Sequence, residues 1–279
     1  MTVLEVLKIS TEFLRKHEIE NARLNAEHLL AHVLGRTRME LYLEFERALA
    51  QTDLDQLRDL IKRRSRGEPL QHLLGTIEFC GHVFKTDQRA MVPRPETEQL
   101  VELVIADCET RQPGRIVDIG TGSGIIGLSL GKELPDADIL AVDISEDALA
   151  LARENAERLD LAGRISFQKG DLLEEIAERF DLIVANLPYI SMQERPSLSR
   201  EVLRDPEIAL FGGEVGDELI RELINQSPAH LNPGGLLALE IGVGQSDGLE
   251  KLLRQKNLHD IDTKKDYSGI PRFLFARYG

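Results

Sequence analysis

The sequence is poor in cysteine and has no long apolar run. Its two cysteines, Cys80 and Cys108, stand far apart among 279 residues. They build neither a disulfide framework nor a metal knuckle, and such scarcity is typical of a reducing compartment. No run reaches the roughly 18 apolar residues of a membrane span, and the N-terminus does not resemble a secretory signal. Its histidines are scattered, so we predict no metal site. From the cysteines and the apolar runs we predict a soluble cytoplasmic protein with no membrane contact.

Positive charge is also scarce. The chain has 34 Lys and Arg against 48 Asp and Glu, a formal net charge of -14. Residues 1–74 have 12 of each kind, so all the excess acidity lies in residues 75–279. Because nucleic-acid binding depends on Lys and Arg that displace counterions from phosphates, we expect no direct nucleic-acid contact. The basic run K-R-R-S-R at residues 62–66 is typical of a solvated helix end.

The hydrophobic pattern changes twice along the chain. Residues 1–74 repeat apolar side chains at helical spacing, which predicts a small all-helical domain. Residues 75–95 alternate apolar and polar side chains around two glycines and predict a linker hairpin. Residues 96–279 alternate helical patterns with six short apolar runs, which is typical of βαβ units. This last part therefore predicts an α/β fold with a doubly wound, mainly parallel sheet.

A glycine-rich turn follows the first of these apolar runs. It reads D-I-G-T-G-S-G-I-I-G over residues 118–127 and leads directly into an apolar helix. Glycines let the backbone turn sharply and approach a ligand, and the helix N-terminus offers unpaired N–H groups. The next run ends at Asp143, whose carboxylate can accept hydrogen bonds from ribose hydroxyls. Taken alone, the pattern fits a dinucleotide or another adenosine-bearing cofactor.

Three features favour S-adenosylmethionine over a nicotinamide cofactor. Asp118, before the glycines, suits an ammonium group better than a pyrophosphate. The turn after the third run offers Asp171 to an adenine amino group and Leu172 to the base. Most decisively, the fourth run ends in N-L-P-Y at residues 186–189. We therefore expect S-adenosylmethionine as the methyl donor and S-adenosylhomocysteine as a product.

The N-L-P-Y segment suits methylation of a planar nitrogen. An amide or exocyclic amine is a weak nucleophile because its lone pair is delocalised, so acceptors must hold its N–H groups while the nitrogen pyramidalises. The side-chain oxygen of Asn186 and the carbonyl of Leu187 are two such acceptors. Pro188 stiffens the turn, and Tyr189 offers an aromatic wall. We expect in-line displacement, accelerated by positioning and electrostatics, with no metal, covalent intermediate or strong base.

The motifs together resemble a known family. D-I-G-T-G-S-G, V-D at 142–143, G-D-L at 170–172 and N-L-P-Y look like those of class I S-adenosylmethionine-dependent methyltransferases. Further segments are similar to the HemK/PrmC family, the release factor glutamine methyltransferases: G-E-P-L-Q-H-L-L-G (67–75), V-P-R-P-E-T-E-Q-L-V (92–101), A-L-F-G-G-E (209–214), L-N-P-G-G-L-L-A-L-E-I-G (231–242) and D-Y-S-G-I-P-R (266–272). The family's tetrapeptide is usually N-P-P-Y, and here Leu187 replaces the first proline while keeping the backbone carbonyl.

This resemblance implies a substrate, a fold and a set of site residues. The substrate is the glutamine of the Gly-Gly-Gln motif in peptide chain release factors, methylated on its side-chain amide nitrogen. The fold is the seven-stranded class I methyltransferase sheet in residues 96–279, with residues 1–74 docking the release factor. The catalytic residues are Asn186 and Tyr189, and the substrate-binding residues are Asn186, Leu187, Pro188, Tyr189, Arg94 and Glu96. The cofactor-binding residues are Gly120, Thr121, Gly122, Ser123, Gly124, Asp143, Asp171, Leu172 and Asn186.

Other classes of function stay open at the level of sequence. An adenine-amino DNA methyltransferase uses the same tetrapeptide chemistry on a flipped base, although the acidic composition disfavours it. A non-catalytic S-adenosylmethionine-binding module leaves an intact N-L-P-Y without a purpose. An oxidoreductase with haem or radical chemistry needs ligand clusters that the sequence lacks. We expect a monomeric enzyme.

Overall fold

The chain divides into two compact units in its computed structural model, which describes residues 1–279. The first unit is Met1–Ile77 together with Ser199–Arg204, and the second is Glu78–Leu198 together with Asp205–Gly279. The chain therefore enters the first unit twice, at its N-terminus and again in a short internal segment. None of the helices combines the length and apolar character that a membrane-spanning helix needs.

The first unit is helical, as the apolar spacing predicts. Its helices are α1 (Val3–Lys16), α2 (Ala22–Leu34), α3 (Arg38–Leu43), α4 (Gln51–Ser65) and α5 (Leu70–Leu74). Helix α1 begins with a capping box, in which the Thr2 hydroxyl accepts from the Glu5 N–H at 3.3 Å and the Glu5 carboxylate accepts from the Thr2 N–H at 2.8 Å. Leu14, Leu29 and Leu30 are fully buried and form the centre of its core.

The basic run at residues 62–66 is not only a solvated helix end, which corrects the sequence-based expectation. Arg64 lies in the last turn of α4 and is 4% exposed. Its guanidinium donates to Asn25 Oδ1 at 2.6 Å, to the Glu68 carbonyl at 2.9 Å and to Glu201 Oε2 at 2.5 Å. A buried cation needs such partners because burial removes its hydration. Arg64 is therefore a structural residue of the first unit.

The second unit contains the predicted α/β fold, preceded by the predicted hairpin. The hairpin strands are β1 (Thr76–Phe79) and β2 (His82–Lys85), which pair with each other. The remaining strands are β3 (Arg115–Ile119), β4 (Asp138–Asp143), β5 (Ile165–Lys169), β6 (Phe180–Ala185), β7 (Ile190–Ser191), β8 (Phe211–Gly213), β9 (Leu231–Glu240), β10 (Leu258–Lys265) and β11 (Pro271–Tyr278). The helices are α6 (Pro95–Cys108), α7 (Ile125–Glu133), α8 (Glu146–Arg158), α9 (Glu218–His230) and α10 (Ser246–Gln255).

Seven of these strands form one sheet, which confirms the predicted architecture. Their order is β10-β11-β9-β6-β3-β4-β5. The pairs among β9, β6, β3, β4 and β5 are parallel, whereas β11 is antiparallel to both β9 and β10. The central strands are almost entirely buried, as strands covered on both faces must be.

Strand β10 is the one strand of this sheet that the apolar runs did not predict. Its sequence, L-H-D-I-D-T-K-K, has a single buried residue, Leu258. An antiparallel strand at the edge of a sheet can leave one face in water, so it needs no continuous apolar run. Sequence periodicity alone was therefore too weak a signal for this strand.

The sheet has a topological switch point at β3. From β3 the chain proceeds outward to β4 and β5, and then returns to β6 on the opposite side of β3. Open α/β sheets bind ligands at such a point, beyond the carboxyl ends of the strands. Since Ile119 at the end of β3 pairs with Ala185 at the end of β6, the glycine turn and N-L-P-Y emerge side by side.

Candidate active site

The glycine turn forms one wall of the site. Gly120, Gly122 and Gly124 have φ values of +70°, +56° and +82°, a conformation that other L-residues rarely adopt. A Cβ atom on Gly120 would lie 2.8 Å from Leu187 Cδ2, so this position also requires the absence of a side chain. Gly124 precedes helix α7, whose N-terminus follows the turn directly. The turn therefore brings bare backbone close to the space where a ligand would lie.

Asp118 stabilises the glycine turn through hydrogen bonds. Its side chain is fully buried, and its Oδ2 accepts from Thr121 Oγ1 at 2.6 Å and from the Gly127 N–H at 2.9 Å. Burial is the main cause that raises the pKa of Asp118 to about 6. The sequence suggested that this carboxylate faces an ammonium group. In the structure it supports the loop, and the cavity wall is formed by Gly120 and its successors instead.

Asp143 lies at the end of β4, where it joins the glycine turn to the next loop. Its Oδ2 accepts from the Gly122 N–H at 2.8 Å and its Oδ1 accepts from the Ser145 N–H at 2.9 Å. Burial raises the pKa of Asp143, and the backbone donors oppose this effect. Each carboxylate oxygen keeps a second lone pair with which to accept from a ligand. Asp143 is thus fixed in orientation and still able to bind hydroxyls.

Asp171 and Leu172 follow β5 and line the same cavity. Asp171 is exposed, whereas Leu172 is 8% exposed and packs in the core of the unit. Leu172 has a φ of +51°, which is strained for a residue with a Cβ atom. Strain of this kind costs about 1–3 kcal/mol and concentrates at functional sites.

The N-L-P-Y segment directly follows the buried strand β6. Leu187 is 4% exposed and packs into the core beneath the glycine turn, so this side chain fills space in place of the family's usual proline. No group of the chain donates a hydrogen bond to the Leu187 carbonyl or to Asn186 Oδ1. Two acceptors on adjacent residues are therefore available at the carboxyl end of the strand.

A buried hydrogen-bond network connects Asn186 with Tyr189. Asn186 Nδ2 donates to Thr97 Oγ1 at 2.9 Å, and Thr97 Oγ1 donates to Glu240 Oε2 at 2.9 Å. The Tyr189 hydroxyl donates to Glu240 Oε1 at 3.1 Å. Thr97 and Glu240 are 2% and 1% exposed. Sequence reasoning missed both residues, although both lie within segments that resemble the family.

The structure brings most of the predicted site residues to one cavity. Those that line it are Gly120, Thr121, Gly122, Ser123, Asp143, Asp171, Leu172, Asn186, Leu187 and Pro188. Gly124, Tyr189, Arg94 and Glu96 do not line it. Gly124 is buried and packs against Ala152 of helix α8. The Tyr189 hydroxyl donates to Glu240, which does not line the cavity either. The predicted roles of these side chains remain predictions.

Arg94 does not line the cavity, and its guanidinium binds a buried partner, Asp205. Its guanidinium donates to Asp205 Oδ2 at 2.8 Å, and Asp205 Oδ1 accepts from the Val92 N–H at 3.2 Å. The Asp205 carboxylate is completely buried. The residues that follow it, Pro206 and Ile208, line the cavity. Asp205 was not predicted, because nothing in the local sequence connects it with a residue more than a hundred positions earlier.

Known proteins resemble both parts of the chain. Residues 5–75 match the family model of the PrmC N-terminal domain, and residues 96–214 match that of the methyltransferase small domain. The release factor glutamine methyltransferase of Geobacter sulfurreducens is 38% identical over 280 residues, covering 100% of this chain and 97% of that protein. The chain belongs to the release factor glutamine methyltransferase family. It is accordingly a methyltransferase, as the N-L-P-Y segment predicts.

Other members and one solved structure agree with this family assignment. The release factor glutamine methyltransferase of Bradyrhizobium diazoefficiens is 42% identical over 270 residues, covering 95% of this chain and 91% of that protein. The crystal structure of a ribosomal protein L11 methylase from Lactobacillus delbrueckii subsp. bulgaricus has a TM-score of 0.52 and 27% identity. That match covers 69% of this chain and 84% of the other, and it supports the class I methyltransferase fold.

Proposed function

We propose that this enzyme transfers a methyl group from S-adenosylmethionine to the side-chain amide nitrogen of the glutamine in the Gly-Gly-Gln motif of peptide chain release factors. The observation that carries the proposal is the pair of available acceptors after β6. Asn186 and Leu187 line the cavity beside the glycine turn, and neither Asn186 Oδ1 nor the Leu187 carbonyl accepts from the chain. A primary amide has two N–H groups to offer to two such acceptors.

The residues of the cavity fit S-adenosylmethionine. Gly122 lacks a Cβ atom, and the space into which one would project is open, with the nearest atom 4.0 Å away. Asp143 would accept hydrogen bonds from the ribose hydroxyls, Asp171 would accept from the adenine amino group, and Leu172 would pack on the base. When bound, S-adenosylmethionine supplies an electrophilic methyl group on a sulfonium centre.

The chain contributes positioning to the reaction. Asn186 Oδ1 and the Leu187 carbonyl hold both N–H groups of the substrate amide, which fixes its nitrogen and favours its pyramidal form. Pro188 restricts the turn that carries both acceptors. Such orientation supplies much of the acceleration in reactions between two bound partners. The methylated nitrogen loses its proton readily, so no strong base is required.

The relatives from Geobacter sulfurreducens and Bradyrhizobium diazoefficiens are release factor glutamine methyltransferases, which supports a release factor as the partner. We propose peptide chain release factors as the protein substrate, with the helical unit as their docking surface. We further propose that the enzyme is a cytoplasmic monomer that contacts neither nucleic acid nor membrane.

A methyl-transfer assay with labelled S-adenosylmethionine tests the proposed function. We expect label on purified release factor, mass spectrometry that assigns the methyl group to the glutamine of Gly-Gly-Gln, and no label on a factor in which that glutamine is alanine. Double-stranded DNA serves as the competing acceptor in the same assay. Label on DNA and none on the release factor would overturn the proposal.

A further inference from the structure

We propose that Glu240 is a positioning residue that acts through Thr97 to orient the amide of Asn186. The three side chains lie in one chain of hydrogen bonds, in which Asn186 Nδ2 and Thr97 Oγ1 are 2.9 Å apart and Thr97 Oγ1 and Glu240 Oε2 are 2.9 Å apart. This inference rests on the proposed function only in that Asn186 is taken to bind the amide of the substrate.

The direction of every bond follows from the chemistry of the carboxylate. An ionised carboxylate only accepts hydrogen bonds, so both the Thr97 and the Tyr189 hydroxyls must donate to Glu240. A hydroxyl has one hydrogen, and the Thr97 hydroxyl donates it to Glu240. Towards Asn186 it can therefore only accept, and the group that faces it must be the Nδ2 amide donor.

The consequence falls on the other end of the same amide. With Nδ2 committed to Thr97, Asn186 Oδ1 is the end that stays available, and no group of the chain donates to it. The reversed amide would present N–H donors to the N–H groups of a substrate amide, which would repel it. Glu240 thus selects the orientation of Asn186 that can bind the substrate, although it does not line the cavity itself.

The surroundings of Glu240 make this orientation dependent on pH. Burial is the main cause that raises the pKa of Glu240 to about 7, and Glu96 raises it further. Hydrogen bonds from Thr97 and Tyr189 and the charge of Arg272 act in the opposite direction. A protonated Glu240 carries one donor of its own, so it no longer compels Thr97 to donate.

The first test compares Thr97→Val with Thr97→Ser. Valine keeps the shape and removes the hydroxyl, so we expect the kcat for the release factor to fall about tenfold, while S-adenosylmethionine affinity changes by less than about twofold. Serine restores the hydroxyl and should recover most of the kcat. Thr110→Val, the same replacement at an exposed position beyond α6, is the matched control.

The second test uses Glu240→Gln alone and combined with Thr97→Val. Glutamine offers a donor and an acceptor, so it lowers kcat and removes the decline of kcat as the pH falls below about 7. In the Thr97→Val background the link is already cut, so Glu240→Gln should lower kcat by less than about twofold further. Multiplication of the two single effects would overturn the relay.

A third measurement needs no release factor. The Asn186 side-chain amide signal in the NMR spectrum of nitrogen-labelled protein, assigned by its loss in Asn186→Asp, should shift with the titration of Glu240 and stay constant in Thr97→Val. A signal that titrates equally in both proteins refutes the relay. If the signal behaves as expected but release factor is not methylated, the relay stands and the proposed function fails.

Discussion

Asn186 shows how one residue can have two chemically different ends in a single site. Its Nδ2 donates to Thr97, which is 2% exposed, whereas no group of the chain donates to its Oδ1. The residue therefore belongs both to the buried network and to the cavity wall. Its contribution to a reaction should be separable from any contribution to cofactor binding.

Replacement of Asn186 by alanine measures this separation. The change removes an acceptor that matters most as the substrate nitrogen pyramidalises, so we expect kcat to fall by about 10²–10³-fold, in line with the loss of one preorganised polar group. The dissociation constant of S-adenosylmethionine, measured by calorimetry, should change only a few-fold. A collapse of cofactor affinity with little change in kcat would instead make Asn186 a cofactor residue.

The titration of Glu240 should also make the free energy of unfolding of the ligand-free protein depend on pH. Burial raises the pKa of Glu240 to about 7 in the folded state. At pH values between the pKa of Glu240 in the unfolded chain and about 7, the folded state therefore binds a proton that the unfolded chain has lost. The free energy of unfolding therefore falls as the pH rises through this window, by up to about 3 kcal/mol. Asp118, with a pKa raised to about 6, acts in the same direction.

Glu240→Gln removes this contribution. Relative to the wild type, the variant should gain free energy of unfolding as the pH rises from about 5 to about 8. Urea unfolding followed by circular dichroism measures the difference at each pH, in which contributions from all other groups cancel. Parallel curves for the two proteins would show that Glu240 titrates normally.

At the scale of elements, the site depends on how two turns fit together. The turn after β3 and the turn after β6 meet where Gly120 lies against Leu187, and each turn leaves room for the other. The chain's unusual Leu187 is thus tied to a glycine nearly 70 positions earlier. Replacements in either turn should therefore disturb the packing of the other turn.

Gly120→Ala tests this fit against Gly122→Ala. Both replacements place a Cβ atom at positive φ, which costs about 1–2 kcal/mol. Only the first also forces a contact of 2.8 Å with the packed Leu187 side chain, while the nearest atom at Gly122 is 4.0 Å away. We expect Gly120→Ala to lose about 1–3 kcal/mol more in thermal unfolding. Equal losses would show that Leu187 moves aside freely.

The sequence predicted the elements whose signals are local. Continuous apolar runs indicated the buried parallel strands, and N-L-P-Y was found because it follows such a run. Strand β10 was missed because an edge strand keeps polar residues. Thr97 and Glu240 were missed for another reason, since they are 143 positions apart and only the folded sheet makes them partners. Local patterns cannot report such a bond.

At the scale of the whole molecule, the first unit includes the segment Ser199–Arg204 as well as its helices. Arg64 is buried and donates to Glu201 of that segment, and Arg204 donates to the Arg66 carbonyl. The helical unit is therefore not completed by the N-terminal residues alone.

Glu201→Ala should destabilise the first unit. The replacement leaves the buried Arg64 guanidinium without its anionic partner, and we expect a loss of about 1–3 kcal/mol, because Arg64 is buried whereas Glu201 is 33% exposed. Glu207→Ala, which breaks an exposed pair with Arg195, is the control and should leave the melting temperature unchanged. Differential scanning calorimetry measures both. Equal melting temperatures for the two variants would mean that Asn25 and the Glu68 carbonyl suffice for Arg64.

The double passage of the chain through the first unit restricts how this part of the protein can be exchanged. A chimera that takes residues 1–77 from one relative and the remainder from another would separate the helices from the matching internal segment. Recombination at a single boundary would thus combine Arg64 of one parent with the counterpart of Glu201 from the other. A functional exchange of the helical unit requires three crossovers, after residues 77, 198 and 204, so the two segments are expected to change together in evolution.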